Sequence, residues 1–268
     1  MRRQTEASRT WPTKRSVWRE HTHTTQFLIN PESISSGYAT ISGKDALHIT
    51  TVLRLKENDW LMLTDGKGNR WKAEITKITR GLVLAKLVLK SQPSLKTTDI
   101  TLALAMIKQE RFEWALEKSV ELGCRKIIPV ASERSLPKPS SPKFKRWQKI
   151  VEEAQKQCGT AFSTLLEIPT SFGDLLKNSG SFENKILFWE GENSTGLQKC
   201  SLQPSSTLII IGPEGGFTAE EIKLTKELGI ATAGLGPLIL RVETAAIAAI
   251  SLVQYRLGYF DETPQKDI

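Results

Sequence analysis

From Ile100 to Tyr255, short apolar runs alternate with amphipathic stretches, and this alternation restricts the fold more than any other feature of the chain. Ile100 to Met106 reads as a buried strand, followed by a helix from about Glu110 that carries Phe112, Leu116 and Val120 on one face and stops at Gly123. Ile127 to Val130 is the next strand, and a helix follows from about Phe144 to Gln157. Strands are expected at Lys185 to Trp189 and Thr207 to Ile211, a helix at Ala219 to Leu228, a strand at Ala231 to Leu235, and a last helix reaching Tyr255. Strands apolar throughout must be covered on both faces, so the pattern predicts an α/β fold with a mainly parallel sheet between helix layers.

The first third is different. From Phe27 the chain shows β-like runs at Tyr38 to Ile41, Trp60 to Thr64, Trp71 to Ile78 and Leu82 to Leu89, broken by the turn signals Asp65-Gly66 and Gly68-Asn69. A small barrel over residues 26–93 is expected, joined by Gln92-Pro93-Ser94 to a second domain over 98–260, with 261–268 as a tail. Residues 1–25 lack an apolar period and read as a disordered basic extension. An organelle-import segment is another reading of their composition, against which Glu6 and Glu20 count.

Charge follows the same division: residues 1–97 hold 17 Lys/Arg against 8 Asp/Glu, whereas 98–268 hold 20 against 21. A basic face fits a polyanion partner, because phosphate contacts release condensed counterions, and it fits equally a solvated, solubilising surface. Arg134 to Lys149, with six Lys/Arg, no acid and three prolines, is open to the same two readings.

Several functions are disfavoured. Cys124, Cys158 and Cys200 lie far apart without CxxC or Cys/His spacing, so no metal site or disulfide framework is expected, and a reducing, cytoplasmic setting fits. No apolar run approaches the roughly 18 residues of a membrane span. His21, His23 and His48 have no metal partner at ligand spacing, and Trp60 and Trp71 are expected in the barrel core. Neither GxGxxG nor GxxxxGK[ST] occurs, which argues against NAD and ATP.

One constellation suggests a ligand site. Thr207-Leu-Ile-Ile-Ile-Gly212-Pro-Glu-Gly-Gly216-Phe-Thr218-Ala-Glu-Glu221 is an apolar strand entering a glycine loop and then a helix whose start is marked by the Thr218/Glu221 capping box. Leu235-Gly236-Pro-Leu-Ile-Leu-Arg241-Val-Glu243-Thr244-Ala245 repeats the arrangement one unit later. In a parallel sheet both loops fall at the carboxyl edge, where such folds bind ligands, and glycines let the backbone approach closely.

These two segments, in this order and separation, closely resemble the C-terminal signatures of the RsmE family. Its members are SPOUT-class enzymes that methylate N3 of a uridine in 16S (small-subunit) ribosomal RNA. The resemblance extends over roughly residues 26–260. Val52-Leu-Arg54-Leu-Lys56 with Asp65-Gly66 looks like the family's PUA-like RNA-binding barrel. Lys108-Gln-Glu-Arg111, Lys118, Glu121-Leu-Gly123, Ser132-Glu-Arg134-Ser135, Arg146-Trp147, Glu153-Ala154 and Gln157 look like its central motifs. Two positions depart: Thr160 stands where the family usually has arginine, and Val120 where it has threonine.

The resemblance implies a trefoil-knotted sheet binding S-adenosylmethionine (AdoMet), a homodimer, and no metal. Implied cofactor contacts are Phe188, Glu190, Ile211, Gly212, Glu214, Gly215, Gly216, Leu235, Gly236, Leu238 and Leu240, and implied RNA contacts are Arg54, Lys56, Lys108, Arg111, Arg134 and Arg146. AdoMet is already a strong methyl donor, so the protein must align it with N3 and favour loss of the imide proton. Arg241 is the expected cation beside the developing negative charge on uracil. Glu243 is expected to orient Arg241 or accept a proton, with Glu214 as the other candidate for that task. The alternatives are a SPOUT relative acting on another RNA position or on ribose, and a non-catalytic RNA-binding assembly factor.

Overall fold

A computed structural model describes residues 26–91, 99–192 and 195–261. The expectations for 1–25, for Gln92 to Ser94 and for 262–268 lie outside the described residues.

The first domain is a six-stranded mixed sheet, β1 (Gln26–Leu28), β2 (Ile34–Ser35), β3 (Tyr38–Ser42), β4 (Trp60–Thr64), β5 (Arg70–Thr79) and β6 (Leu82–Ser91), ordered β1-β4-β5-β6-β3-β2. It is an open half-barrel rather than a closed barrel, since β1 and β2 are its free edges. Alternate residues of each strand face inward: Ala39 and Ile41, Leu61 and Leu63, Trp71, Ala73 and Ile75, Val83 and Ala85 form its core. Trp71 is buried there as expected, whereas Trp60 is half-buried with the Lys72 ammonium 5.0 Å from its ring centre. The sequence pattern missed a short helix, α1 (Gly43–Leu47), and the π-turn His48–Val52 that continues it. His48 lies edge-on to Phe27, ring centres 6.0 Å apart.

The second domain is built from β7 (Ile100–Ala105), α2 (Gln109–Glu121), β8 (Lys126–Ala131), α3 (Ser141–Cys158), β9 (Leu165–Leu166), β10 (Thr170–Ser171), α4 (Phe172–Lys177), β11 (Asn184–Phe188), β12 (Thr207–Ile211), α5 (Ala219–Glu227), β13 (Ala231–Ala233) and α6 (Val242–Arg256). All the strand pairings are parallel, in the order β10-β8-β7-β12-β11-β13 with β9 on β8. Pro142 does not interrupt the basic stretch as the sequence suggested; it sits in the first turn of α3, where a missing N–H is harmless.

Strand periodicity explains the two helix layers. Leu102, Leu104, Ile209 and Ile211 pack against α2, α3 and α6, while Ala103, Leu208 and Ile210 pack against α4 and α5. The alanines of the last helix serve this packing: Ala246 and Ala249 are fully buried, letting α6 lie close to the sheet and to α2.

The domains are joined by main-chain and side-chain hydrogen bonds and by an ion pair in which Lys156 Nζ lies 2.7 Å from Asp45 Oδ1. Ser163 N–H donates to Gly66 O at 2.8 Å, Gly68 N–H donates to Ala161 O at 3.0 Å, and the Gln26 amide donates to Thr160 O at 2.7 Å. The Asp65 turn presents these groups, its carboxylate accepting from the N–H groups of Lys67 and Asn69 and from the Asn69 amide. Burial acts most strongly to raise the Asp65 pKa, yet the hydrogen bonds together outweigh it and leave it lowered. A depressed carboxylate pKa contributes stability above its unfolded-state value that is lost as pH falls through the folded one. Asp65→Asn is therefore expected to lower the melting temperature at neutral pH and to flatten its decline on acidification, read from melts across the acid range.

Candidate active site

The site follows from strand register. Phe188 of β11 pairs with Ile211 of β12 on one side and with Ala233 of β13 on the other, so three adjacent strands end level at the carboxyl edge. The segments that leave them enclose a cleft of about 130 Å³. Eight of the residues singled out from the sequence line it: Phe188, Glu190, Ile211, Gly212, Leu235, Gly236, Leu238 and Leu240. Trp189, Gly234, Ile239, Val242 and Ala245 complete much of the wall and were not singled out.

Glu214, Gly215 and Gly216 do not line this cleft; the structure gives them other work. Gly216 closes a turn, its N–H bonding Pro213 O at 2.9 Å with φ of +67°, and a side chain there would collide with the Glu190 carboxylate. At Gly212 a side chain would strike the Phe217 ring. The loop is gripped from outside: Arg134 Nη1 donates to Gly215 O at 2.8 Å, and the Glu133 N–H donates to Glu221 Oε1 at 3.0 Å. Glu221 also completes the expected capping box with Thr218.

Among the described residues Glu190 has neither an ion pair nor a hydrogen bond, which leaves its carboxylate free at the rim of a cleft whose other side chains are mostly apolar. Apolar side chains, exposed backbone groups and one free anion together suit a ligand that carries a flat organic ring, hydrogen-bonding edges and a positive charge.

Arg241 and Glu243 stand at the mouth, but not as a pair. Arg241 is the exposed residue preceding α6, and among the described residues its guanidinium has no hydrogen bond and no ion pair. The expectation that Glu243 orients Arg241 is corrected: Glu243 turns toward Arg111, Oε1 lying 3.8 Å from Nε, while Arg111 Nη1 contacts Glu214 at 2.5 Å. Arg111 thus ties the glycine loop to the start of α6, and Glu243 keeps a second oxygen, Oε2, buried without a partner. Helical spacing explains the error: residues two apart on a helix do not face each other, so Glu243 on α6 and Arg241 ahead of it diverge.

The expected RNA contacts separate into two groups. Arg54 and Lys56 are exposed on the first domain, and Lys108 is exposed just before α2. Arg111 and Arg134 instead hold the glycine loop, and Arg146 forms two 2.8 Å hydrogen bonds to the nearly buried Glu113. Burial raises the thiol pKa of Cys124, of Cys158 and of Cys200, so none offers a ready thiolate.

Residues 94–254 match the model of an RNA methyltransferase domain, and residues 41–88 match that of an RNA methyltransferase PUA domain. Ribosomal RNA small subunit methyltransferase E of Bacillus subtilis is 32% identical over 235 residues, 81% of this chain and 90% of the relative. The chain belongs to the RsmE family. The Synechocystis protein of that name is 30% identical over 85% of this chain and 76% of its own. The crystal structure of the Neisseria gonorrhoeae protein of that name, bound to S-adenosyl methionine, superposes with a TM-score of 0.78 at 29% identity, covering 87% of this chain and 98% of that one. This family member accordingly has the SPOUT-type parallel sheet with a PUA-like half-barrel before it, the fold class expected from its sequence.

Proposed function

We propose that this chain transfers the methyl group of AdoMet to N3 of a uridine in 16S ribosomal RNA. The observation that carries this reading is the juxtaposition of a cleft at the level ends of three strands, floored by Phe188 and Ile211, with an unpaired Arg241 at its mouth. The cleft residues would hold AdoMet, which supplies an electrophilic methyl carbon.

The chain's own residues do the rest. Arg241 offers guanidinium N–H groups to a uracil oxygen as N3 loses its proton and negative charge grows on the ring. Glu243 Oε2, buried and unpartnered, is the acceptor for that proton directly or through water, and Arg111 keeps Glu243 in place. Glu214, held by Arg111 and 45% exposed, is less suited to the task. Transfer is direct to N3, without an attacking cysteine.

AdoMet is expected to bind the full chain stoichiometrically in metal-free buffer, and calorimetry checks it; heat only after a metal is added would overturn the cofactor assignment. A chain that binds RNA but not AdoMet would support the assembly-factor alternative. Mapping of small-subunit RNA from cells lacking the gene tests the nucleotide: loss of one N3-methyluridine is expected, and loss of a ribose or transfer RNA methyl group would overturn it.

The RNA contacts proposed are Arg54, Lys56 and Lys108, which are exposed and unpaired among the described residues. Arg54→Glu with Lys56→Glu is expected to weaken RNA binding and to flatten its salt dependence by roughly 0.7 to 0.9 in slope for each phosphate no longer neutralised. An unchanged slope would show that these charges are only solvated surface.

A homodimer fits the exposed apolar residues Leu238, Ile239, Leu252 and Tyr255 on the last loop and helix, and equilibrium sedimentation tests it. No helix among the described residues is long and apolar enough to cross a membrane, which accords with a cytoplasmic site of action.

A further inference from the structure

A second cavity, of about 150 Å³, opens at the opposite edge of the parallel sheet, where α2 and α3 end beside the first domain. Arg70 from the start of β5, Arg125 from just before β8, and Thr160 line it. We propose that this cavity receives a phosphate group of the RNA strand, held between Arg70 and Arg125. The proposal rests on the RNA-methylating function argued above and extends its substrate contacts to a site remote from the reacting base.

Arg70 Nε and Arg125 Nη1 are buried and have no partner. The carbonyls that end the two helices are already engaged: Gly159 O accepts from Arg70 Nη2, Leu122 O from the Gln254 amide, Thr160 O from Gln26, and Ala161 O from Gly68 N–H and the Thr64 hydroxyl. The one carboxylate in the lining, Glu121, is held by Lys118 at 2.7 Å. Among the described residues neither arginine forms an ion pair. Two partly desolvated guanidinium groups without a counter-ion are unfavourable by themselves, and an entering oxyanion would satisfy both.

Geometry adds preorganisation. The Arg125 guanidinium lies 3.8 Å from the Phe162 ring centre, which fixes its plane. Burial lowers the Arg125 pKa against an opposing contribution from Asp99, as expected for a cation lacking a close partner. The six-residue strands β7 and β8 run from the cavity's edge of the sheet to the edge that carries the cleft, and at about 3.3 Å per residue the two edges lie roughly 20 Å apart. The phosphate therefore belongs to a nucleotide several positions from the target.

The test uses the full chain and its Arg70→Gln, Arg125→Gln, Arg125→Lys and double Gln variants, in RNA binding across a salt series. Each Gln variant is expected to make the salt slope shallower by roughly 0.7. The double variant should do no more, since both arginines serve one phosphate, and Arg125→Lys should keep the slope. Turnover at saturating RNA and AdoMet should not change. Folded Gln variants with the wild-type slope would overturn the proposal and leave Arg70 as a helix-end cap and Arg125 as a group packed on Phe162. Should a Gln variant fail to fold, Thr160→Glu, which places a carboxylate in the same cavity, should flatten the slope likewise, and a wild-type slope there overturns the proposal.

Inorganic phosphate separates this idea from the functional reading. At constant ionic strength against chloride, phosphate is expected to raise the melting temperature of the wild type more than that of Arg125→Gln. That difference in a chain that methylates no RNA would sink the function and keep the anion site; equal shifts in both proteins would sink the site.

Discussion

Arg241→Ala is expected to yield a folded protein with near-normal AdoMet affinity and methyl transfer slower by roughly a hundredfold or more, the scale seen when one donor to a developing oxyanion is removed. Because the Arg241 guanidinium bonds to nothing among the described residues, truncating the side chain disrupts no hydrogen bond or ion pair of the free enzyme. Its guanidinium has value only when a substrate oxygen becomes anionic beside it. Losing an interaction made only in the transition state lowers kcat and kcat/KM together and leaves binding alone. Single-turnover kinetics at saturating AdoMet and RNA, with thermal melts alongside, provide the check. Near wild-type turnover in a folded variant would remove Arg241 from the chemistry and leave alignment of the methyl donor as the main catalytic device.

Trp147→Ala is expected to cost about 3 to 5 kcal/mol of stability, the range for removing a large aromatic side chain from a packed core. Trp147 is 1% exposed and stacks on Phe112 with ring centres 4.1 Å apart, joining α3 to α2. Its indole N–H has no partner, so the loss is one of packing rather than of a hydrogen bond. Trp147→Phe keeps part of the stack and should lose far less. Denaturant unfolding of the two variants distinguishes them, and equal losses would mean that the indole nitrogen matters after all.

Most of the second domain was legible because its strands announce themselves. Six consecutive buried positions in β7 and five in β12 can only be inner strands of a two-sided sheet. The Thr218/Glu221 box placed α5 correctly because capping is a local event. The elements missed, β1, β2, α1 with its π-turn, the two-residue strands β9 and β10 and the six-residue helix α4, are too short to show a period.

In the site, the two glycine loops pointed to the carboxyl edge of the sheet, and Phe188 and Glu190 came only with the resemblance to the RsmE family. The role of Arg111 was not legible, because its partners Glu214 and Glu243 lie more than a hundred residues away in the chain. Nor could Arg70 and Arg125 be singled out: neither belongs to a motif, and only folding brings them beside Thr160.

The seam between the two domains has a consequence for divergence. On the side of residues 159–161 the hydrogen bonds to the first domain's side chains are accepted by peptide carbonyls, and a carbonyl is the same whichever residue carries it. The Thr160 side chain is consequently free to change while the offset between the half-barrel and the catalytic sheet stays constant, like a caliper whose jaws are resurfaced but whose gap is locked. Thr160 leaves that gap untouched because it engages Gln26 through its carbonyl and not its side chain. A chain of this build can retune which RNA it grips without recalibrating how far the grip lies from the reacting methyl group.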